Sequence, residues 1–500
     1  MMMDLIKKNG WLVCIVLIGL YFFGSVGSAL SENTKTTDRV KKISLGKPPK
    51  DSKIFGPTTN FPQCDRLAYV TIVKGKMAVT VDGKRGEDFE GIAQGTPLFS
   101  PAKNRVGYIV VQNKKQFVVV DGNKGAEYDG VSDLMFSPDG SHYIYKVQIG
   151  KEQAVVVDKK IGEIFGQVMT VPFFSLDSKH FVYIAVVDKQ WYIVKDTKKI
   201  GPFDGVKELS FSHDSKNLVC AVLKEGAWQL WKEGLTGKSY ENISSITFSP
   251  DNKRLAFVAQ RNKHLLMVDN DTEHEAYPTI SVPVFSPDSA HLVYPAMKGK
   301  KWAMVMDKKE GAVFDYIGDH CFSPDSRRFV YVGIKKKQYY VIEGSKASES
   351  YEAIGTLIFS PDSKHLAFPV KQGGKNTMVV DGKKGNFYEM VYDPFYSSDS
   401  SQIVYKAIKN KKSFMVKNDV EGKSYDTILS PLFSQDSKTL AYLALKGKSW
   451  LWIVNDREMD FGIVRVFDIA PLIFDSPSKL HGIGIIENPD PECVCFELNL

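Results

Sequence analysis

The chain repeats one short motif at a nearly constant spacing, and this repeat constrains the fold more than any other feature. FSPDSAHLVY begins at Phe285, and FSPDSRRFVY begins at Phe322, 37 residues later. The anchor position recurs ten times, with one gap of 38 residues and all the others of 37, at Phe99, Phe136, Phe174, Phe211, Phe248, Phe285, Phe322, Phe359, Tyr396 and Phe433. Degenerate copies from Asn60 and from Phe474 bring the total to about twelve units. A fixed period of this length indicates a solenoid, a propeller or an array.

Each unit is predicted to hold four short β-strands. In the copy around Phe285 these are VPVF, HLVYPAM, WAMVMD and AVFDYI, separated by polar turns. Pro287 presets the backbone of the first turn, and Asp288 caps it with its carboxylate. In other copies the connection from third to fourth strand reads VDGKRG, VDGNKG or VDGKKG, whose Asp-Gly pair is a strong hairpin signal. No helical period appears.

A four-stranded meander of this size cannot bury both of its faces alone, so each unit must supply half a core to its neighbours. Stacking the units around an axis also hides the outer sheet edges. We therefore predict an all-β protein, a β-propeller of about twelve four-stranded blades of about 37 residues. Two six-bladed rings and one large closed ring both remain open. The last unit lacks a fourth strand, and residues 53–57 are expected to supply it in a single ring.

The N-terminus carries the pattern of a secretory signal. Lys7 and Lys8 precede the short apolar run WLVCIVLIGLYFF, and small residues follow, with Gly27 and Ala29 at the −3 and −1 positions of a cleavage site. We predict a signal peptide at 1–29, or an uncleaved N-terminal anchor as the alternative, then a polar linker at 30–54 and the repeat region at 55–500. The protein is expected to be exported, to the periplasm or the extracellular space, without a transmembrane domain in the mature chain.

The motif resembles a known repeat. FSPDSKHLAF and FSPDNKRLAF are similar to the WD40-like β-propeller repeat called PD40, which builds the propeller of bacterial TolB. The resemblance spans about residues 55–490 and implies a propeller. It also implies an extracytoplasmic protein-binding role, although members of the family also serve as non-catalytic domains on peptidases. No segment resembles the separate N-terminal domain of TolB, so a role in the Tol system is not implied.

Candidate catalytic, cofactor and metal residues do not stand out from the repeat. The turn aspartates recur in nine units and are interpreted as caps, and His142, His180, His291 and His365 share one position after the turn. We interpret these histidines as solvated, because equivalent positions on different blades lie apart. The cysteines do not recur and form neither a zinc motif nor a disulfide framework. The net charge of +7 is mild, and no block of like charge indicates a nucleic-acid arm.

One recurring feature remains as a candidate site. A lysine occupies the turn between second and third strands in all eleven complete units. In three units, Lys74, Lys224 and Lys375 lie within two places of the position, fifteen residues after the anchor, that the other eight share. Eight lie fifteen residues after their anchors: Lys114, Lys151, Lys189, Lys263, Lys300, Lys337, Lys411 and Lys448. In a propeller these turns share one face, which would attract an anionic partner. The alternative interpretation is that lysine is a soluble, edge-protecting turn residue copied with the repeat.

These observations predict a non-catalytic binding scaffold in the cell envelope that contacts a protein or an anionic lipid or glycan. The rival hypothesis is a propeller enzyme, hydrolase-like, with its site in the central channel. Such a site requires an innermost strand whose residues differ in chemistry from those of the other blades. Only Lys207 and Glu208 depart from the pattern of the first strands compared. A structural role within an envelope assembly is a third possibility.

Overall fold

The computed structural model describes residues 40–48, 53–60, 63–466, 472–487 and 490–500. These residues form β-strands and turns, and no helix occurs among them. The predicted signal segment, 1–29, lies outside the described residues. The prediction of an all-β protein is confirmed.

The strands fall into four positions within the repeat. The first position holds Lys53–Thr59, Gly91–Ile92 with Leu98–Phe99, Gly130–Phe136, Gln167–Val168 with Phe173–Phe174, Gly205–Phe211, Asn242–Phe248, Val284–Phe285, Tyr316–Phe322, Ala353–Ile354 with Ile358–Phe359, Met390–Val391 with Phe395–Tyr396, and Thr427–Phe433. The second holds Leu67–Val73, Val106–Gln112, Tyr143–Ile149, Phe181–Val187, Leu218–Lys224, Leu255–Arg261, Leu292–Lys298, Phe329–Lys335, Leu366–Gln372, Ile403–Lys409 and Leu440–Lys446.

The third position holds Lys76–Val81, Lys115–Val120, Glu152–Val157, Gln190–Lys195, Ala227–Lys232, His264–Asp269, Lys301–Met306, Gln338–Glu343, Lys375–Val380, Lys412–Lys417 and Ser449–Val454. The fourth holds Lys84–Arg85, Asn123–Lys124, Lys160–Phe165, Lys198–Phe203, Leu235–Tyr240, Thr272–Tyr277, Lys309–Phe314, Lys346–Ala347, Lys383–Tyr388, Val420–Tyr425 and Arg457–Val466. The chain then continues through Ile473–Ser476, Lys479–Glu487 and Pro491–Asn499, and Val40–Ser44 precedes all of them.

Neighbouring strands pair antiparallel in repeated small sheets. Within the described residues, ten sheets of four or five strands follow one another along the chain, and one sheet of eight strands contains the last strands. Each of the ten runs from the first to the fourth position in order. This arrangement fits a β-propeller.

The third and fourth strands are joined by a turn of only two residues. Asp307 and Lys308 both have positive φ, and Met306 pairs directly with Lys309. The fourth strand therefore begins at Lys309 and ends at Phe314. The predicted strand AVFDYI is wrong in its bounds, because its last residues, from Tyr316, already belong to the next sheet. The Asp-Gly copies, such as Asp82-Gly83, form the same left-handed turn, as the hairpin signal predicted.

The first and last strands of the described residues share the eight-stranded sheet. Val40–Ser44 pairs antiparallel with Pro491–Asn499, from Val40 opposite Leu498 to Ser44 opposite Val494. The prediction that residues 53–57 supply the missing strand is wrong, since Lys53–Thr59 is the first strand of the first sheet. Val40–Ser44, together with Lys53 and Ile54, places seven residues of the stretch expected to be a linker, 30–54, in β-strands. Val40 and Ile43 are three residues apart and face opposite sides of their strand, where each is partly buried against a different apolar cluster.

Apolar clusters fill the junctions between successive sheets. At one such junction Val330 and Val332 of one sheet pack with Leu366 and Phe368 of the next. The same kind of cluster recurs at every step from the first sheet to the eight-stranded one. One more cluster lies among the strands of the eight-stranded sheet itself. Most of the core therefore lies at interfaces between successive sheets. Each interface removes apolar area from water on both partners, which is the main favourable term in folding.

A further cluster joins the last strands to the first sheet. Leu67 and Tyr69 pack with Ile483, Ile485 and Cys493, and all five side chains are buried. We call this contact the terminal junction. After the strand Val40–Ser44, the chain at Gly46 passes close to Gly83 of the first sheet. A Cβ atom on Gly83 would lie only 2.4 Å from the Cα of Gly46.

We predict that Gly83→Ala destabilises the protein more than Gly122→Ala. The two glycines occupy the same turn position with φ of +77° and +76°, so the conformational cost of a left-handed alanine, about 1–2 kcal/mol, is shared. Only at Gly83 does the added methyl meet backbone, and overpacking of this kind costs about 1–3 kcal/mol more. Thermal unfolding of both variants measures the difference. Equal melting temperatures would contradict the close approach of Gly46 to Gly83.

Candidate functional site

Two edges of the sheets carry the polar residues of the repeat. One edge holds the F-S-P-D turns, between first and second strands, together with the turns between third and fourth strands; we call it the aspartate edge. The opposite ends of the strands hold the turns between second and third strands, where the repeated lysines lie; we call it the lysine edge. Both edges follow from the hairpin registers.

On the aspartate edge, the turn carboxylate is fully engaged by its own turn. In one copy the Ser360 hydroxyl donates to Asp362 Oδ1 at 2.6 Å, and the Lys364 backbone N–H donates to the same oxygen at 3.1 Å. These hydrogen bonds lower the pKa of Asp362 to about 2. The same pattern lowers the pKa of all nine turn aspartates. The prediction that they are turn caps is confirmed.

The serine after the aspartate links one unit to the next. The backbone N–H of Asp325 donates to Ser363 Oγ of the following unit at 2.9 Å, and that of Asp362 donates to Ser400 Oγ at 2.9 Å. These serines are buried and lie in the left-handed region, with φ of 67° at Ser363. Because like turns bond to like turns from unit to unit, successive sheets hold the aspartate edge on one side. The lysine turns consequently share the other side.

The four repeated histidines lie on the aspartate edge and are paired with carboxylates. His180 Nδ1 lies 2.9 Å from Asp196, His291 Nδ1 lies 2.5 Å from Asp307, and His365 Nδ1 lies 2.6 Å from Asp381. His142 makes the same contact with Asp158. The sequence had suggested solvated turn histidines. The structure shows that they are partly exposed and that each is also paired with a carboxylate. The position six residues after the anchor thus holds a basic side chain in these units.

Where the same position holds arginine, the side chain crosses to the next unit. Arg328 pairs with Glu343 at 2.6 Å, donates to the carbonyl of Lys364 at 2.8 Å and lies 4.9 Å above the ring of Phe359. Arg254 makes equivalent contacts, 4.9 Å above Phe285. These groups on the aspartate edge are therefore occupied in holding units together.

The structure places all eight predicted lysines on exposed turns of the lysine edge: Lys114, Lys151, Lys189, Lys263, Lys300, Lys337, Lys411 and Lys448. In the described part of the chain, none of their ammonium groups belongs to an ion pair. The following lysine in three units does form one: Lys115 with Asp129 at 2.7 Å, Lys301 with Asp315 at 3.6 Å and Lys412 with Asp426 at 2.5 Å. The eight side chains thus remain free to meet an external anion.

Sequence reasoning missed the carboxylates beneath these turns. An acidic residue just before the first strand accepts a backbone N–H from the turn of the same unit, at 2.7–3.3 Å, in eight units: Glu90, Asp129, Asp204, Glu241, Asp315, Glu352, Glu389 and Asp426. In seven of the eight units this acidic residue lies seven residues before the anchor, and Glu90 lies nine residues before its anchor. The recurring acidic position was therefore visible in the sequence. The lysine edge is therefore a mixture of charges and not a continuous ring of positive charge.

Three of these carboxylates also bridge neighbouring units. Asp129 accepts the Gly150 N–H at 2.7 Å within its own unit and pairs with Lys115 of the preceding unit. The pKa of Asp129 is lowered, chiefly by Lys115 and then by the Gly150 N–H. The negative charge of these three carboxylates is thus used in ion pairs and hydrogen bonds within the structure. The eight lysines form no ion pair among the described residues.

The two residues singled out on the innermost strands do not form a reactive pair. Lys207 donates to Asn242 of the next unit and lies 4.0 Å above the ring of Trp228, and burial lowers its pKa. Glu208 sits in a β-bulge with φ of 58° and is exposed. Acidic residues at the same position of other units are also held by neighbours: Asp133 by Lys146 at 3.0 Å and Asp319 by the Leu357 N–H at 3.0 Å.

Outside these two edges, the described residues show few features of a functional site. No group of three or more His, Cys, Asp or Glu is placed to hold a metal ion within the described residues. Across the same part of the chain, no helix has the length and apolar character to cross a membrane. A shallow groove lined by Met415, Lys417, Glu421 and Lys423 opens beside a fourth strand and brings together no recognisable catalytic set. The five cysteines in the described residues are free thiols.

Comparison with known proteins gives structural similarity alone. No family model matches the chain, and no curated protein matches it. Among solved structures, it is similar to one described as the eukaryotic initiation factor, with 15% identity, 65% of this chain and 96% of that chain covered, and a TM-score of 0.35. TolB from Acinetobacter baumannii shares 14% identity over 50% of this chain and 77% of its own, with a TM-score of 0.23.

A third structure, the Kuenenia stuttgartiensis hydrazine synthase, shares 13% identity over 51% of this chain and 99% of that chain, with a TM-score of 0.24. All three overall similarities are low, so the architecture rests on the chain's own sheets and registers.

The turn aspartates predict a specific acid sensitivity. An unfolded aspartate begins to bind its proton below about pH 4, whereas hydrogen bonds lower the pKa of the folded carboxylates, to about 2 at Asp362 and Asp399. The unfolded state therefore binds more protons between these values, and folding stability falls as the pH falls through them. Urea unfolding midpoints measured from neutral pH down to about pH 2 should drop steeply below about pH 4.

Asp362→Asn provides the control for this prediction. The variant lacks one titrating carboxylate, so the pH dependence of its unfolding free energy should be shallower by about one proton. An unfolding midpoint that stays constant between neutral pH and about pH 2 would contradict the role given to these aspartates.

Proposed function

We propose that the protein is a non-catalytic binding platform whose lysine edge contacts an anionic partner. One observation carries the proposal: eight exposed lysines recur on one edge while the carboxylates beneath them are bound to backbone N–H groups. An edge of this kind raises the local concentration of anions and steers their approach. The aspartate edge also carries exposed lysines, but there the turn aspartates place negative charge beside them, and Lys216, Lys253, Lys364 and Lys438 pair with the aspartate of their own turn.

The partner is an extended anionic surface of the cell envelope, such as a protein, a lipid surface or a glycan. The lysines are spread over successive sheets, so a single small ligand would reach only one or two of them. Many weak contacts summed over a rigid surface favour a large partner. The platform role also agrees with the PD40-type resemblance, which implies protein-binding propellers.

The platform is proposed to be one closed ring of twelve units. Support comes from the terminal junction, where the first sheet packs on the last strands, and from the strand Val40–Ser44, which completes the last sheet. Two separate rings would require an interruption in the series of apolar clusters, and among the described residues each sheet shares a cluster with the next. The apparent twelfth unit is made from Ile473–Ser476, Lys479–Glu487, Pro491–Asn499 and Val40–Ser44.

The protein is proposed to act outside the cytoplasm. Support comes from the order of basic, apolar and small residues in 1–29, which is typical of a secretory signal. A tethered form with an uncleaved N-terminal segment is the alternative. In either form the propeller would face the periplasm or the exterior.

The binding proposal is tested by salt-dependent retention on two anionic probes, immobilised heparin and vesicles containing phosphatidylglycerol. A variant with all eight candidate lysines changed to Gln should elute at lower salt, because fewer counterions are displaced. Far-UV circular dichroism and the melting temperature confirm that the variant is folded.

A matched variant on the aspartate edge separates position from net charge. It changes eight exposed lysines of that edge to Gln: Lys159, Lys179, Lys216, Lys253, Lys308, Lys364, Lys383 and Lys438. Its retention should stay near that of the unmodified protein. Equal losses from both variants would show that only the net charge matters, and unchanged retention of the lysine-edge variant would refute the proposal.

A further inference from the structure

The terminal junction contains a buried histidine with an acceptor at each ring nitrogen. His481, in the strand Lys479–Glu487, has only 2% of its surface exposed. Its Nδ1 lies 2.8 Å from Asp475 Oδ1, and its Nε2 meets the backbone carbonyl of Gln63, which belongs to the first unit. The contact with Gln63 joins segments 418 residues apart in the sequence.

Both contacts require a hydrogen on the ring. A carboxylate and a backbone carbonyl can only accept hydrogen bonds, and a neutral imidazole carries one N–H. The two hydrogen bonds are therefore made together only by the protonated, positively charged ring. Loss of the proton leaves one acceptor facing a bare nitrogen lone pair in a buried site, which is unfavourable.

Charged groups lie on each element that neighbours the ring. Asp475 lies on the adjacent strand Ile473–Ser476, and Lys479 on the same strand as the histidine pairs with it at 3.1 Å. Glu497 lies opposite His481 on the other neighbouring strand and pairs with Lys479 at 3.4 Å and with Lys41 at 3.5 Å. The turn of the first unit adds Asp65, beside Gln63.

Three cysteines lie at the same contact, so their reactivity shows whether the terminal junction is closed. Cys493 and Cys495 face the first sheet within the apolar cluster of the terminal junction, and Cys64 follows Gln63 in the first unit; all three are buried. Burial raises the pKa of Cys493 and Cys495 to about 12, so they are poor nucleophiles while the junction is closed. Cys220, in a distant sheet, is equally buried and serves as an internal reference.

We propose that His481 is a proton-dependent clasp between the first sheet and the last strands. In the protonated form it ties Asp475 to the first unit through Gln63. Loss of the ring proton removes one of the two hydrogen bonds, so the terminal junction opens more often at higher pH. Other sheet interfaces, which have no such buried histidine donating at both nitrogens among the described residues, keep their stability over the same range.

The test is alkylation of the folded full-length protein with N-ethylmaleimide, read cysteine by cysteine by mass spectrometry at about pH 5.5 and about pH 8.5. Each rate is divided by the rate of the urea-unfolded protein at the same pH, which removes the rise in thiolate fraction. Relative labelling of Cys64, Cys493 and Cys495 should increase about tenfold at the higher pH, while Cys220 stays protected.

Two variants assign the effect to the clasp. His481→Gln should label faster at the lower pH and lose the pH dependence, because an amide does not titrate there. If that variant does not fold, Asp475→Asn provides the second test: its neutral ring needs to donate only to Gln63, so the pH dependence should again disappear. His365→Gln removes an exposed histidine–aspartate pair in another unit and should leave the profile of the three cysteines unchanged.

Three outcomes would overturn the proposal. These are relative labelling of Cys493 that does not change with pH, the same pH dependence in His481→Gln or Asp475→Asn as in the unmodified protein, and loss of Cys220 protection in parallel. The last would mean that the whole molecule unfolds and that no local contact opens.

Discussion

The structure depends on contact between successive sheets. No four-stranded sheet here has a core of its own, since its buried Val, Ile, Leu and Tyr side chains face the sheets before and after it. Stability is therefore a sum of nearest-neighbour interfaces, as in other repeat proteins. The turn serines and the arginines that bridge neighbouring units serve this requirement by fixing how one sheet is placed relative to the next.

The F-S-P-D motif is best understood in these terms. Its aspartate closes the turn, its first serine supports the aspartate, and the serine after the aspartate accepts a hydrogen bond from the preceding unit. One short motif thus sets both a turn and the spacing to a neighbour. That double role explains why the motif recurs so regularly. The motif also engages the turn aspartates of the aspartate edge within their own turns, and we take the lysine edge as the candidate contact surface.

The sequence predicted the repeated part of the fold well, because the information is local. Pro287 and Asp288 encode one turn, and Asp-Gly pairs such as Asp82-Gly83 encode another, so strand order and edge assignment follow directly. The strand Val40–Ser44 could not be predicted in the same way. Val40–Ser44 lies in a lysine-rich stretch, and its partner strand is at the other end of the chain. Nothing within a few residues distinguishes VKKIS from a spacer.

The candidate site was predicted in part. The positions of the lysines followed from their register, but the carboxylates beneath them, such as Asp129 and Glu241, were overlooked although they recur with the repeat. Their effect depends on which backbone N–H groups they reach, and this is a matter of three-dimensional placement. Likewise the pairing of His365 with Asp381 depends on two turns that meet only in the folded sheet.

The pairing of Val40–Ser44 with Pro491–Asn499 has a consequence for how the molecule is made. Lys42 and Glu492, which form an ion pair across these strands, are separated by 450 residues. The early-synthesised strand must therefore wait for nearly the entire polypeptide before it finds its partner, and closing so long a loop is slow. During that interval the apolar face around Leu67 and Tyr69 stays uncovered, so the newborn protein is most vulnerable to aggregation just before its final contact forms.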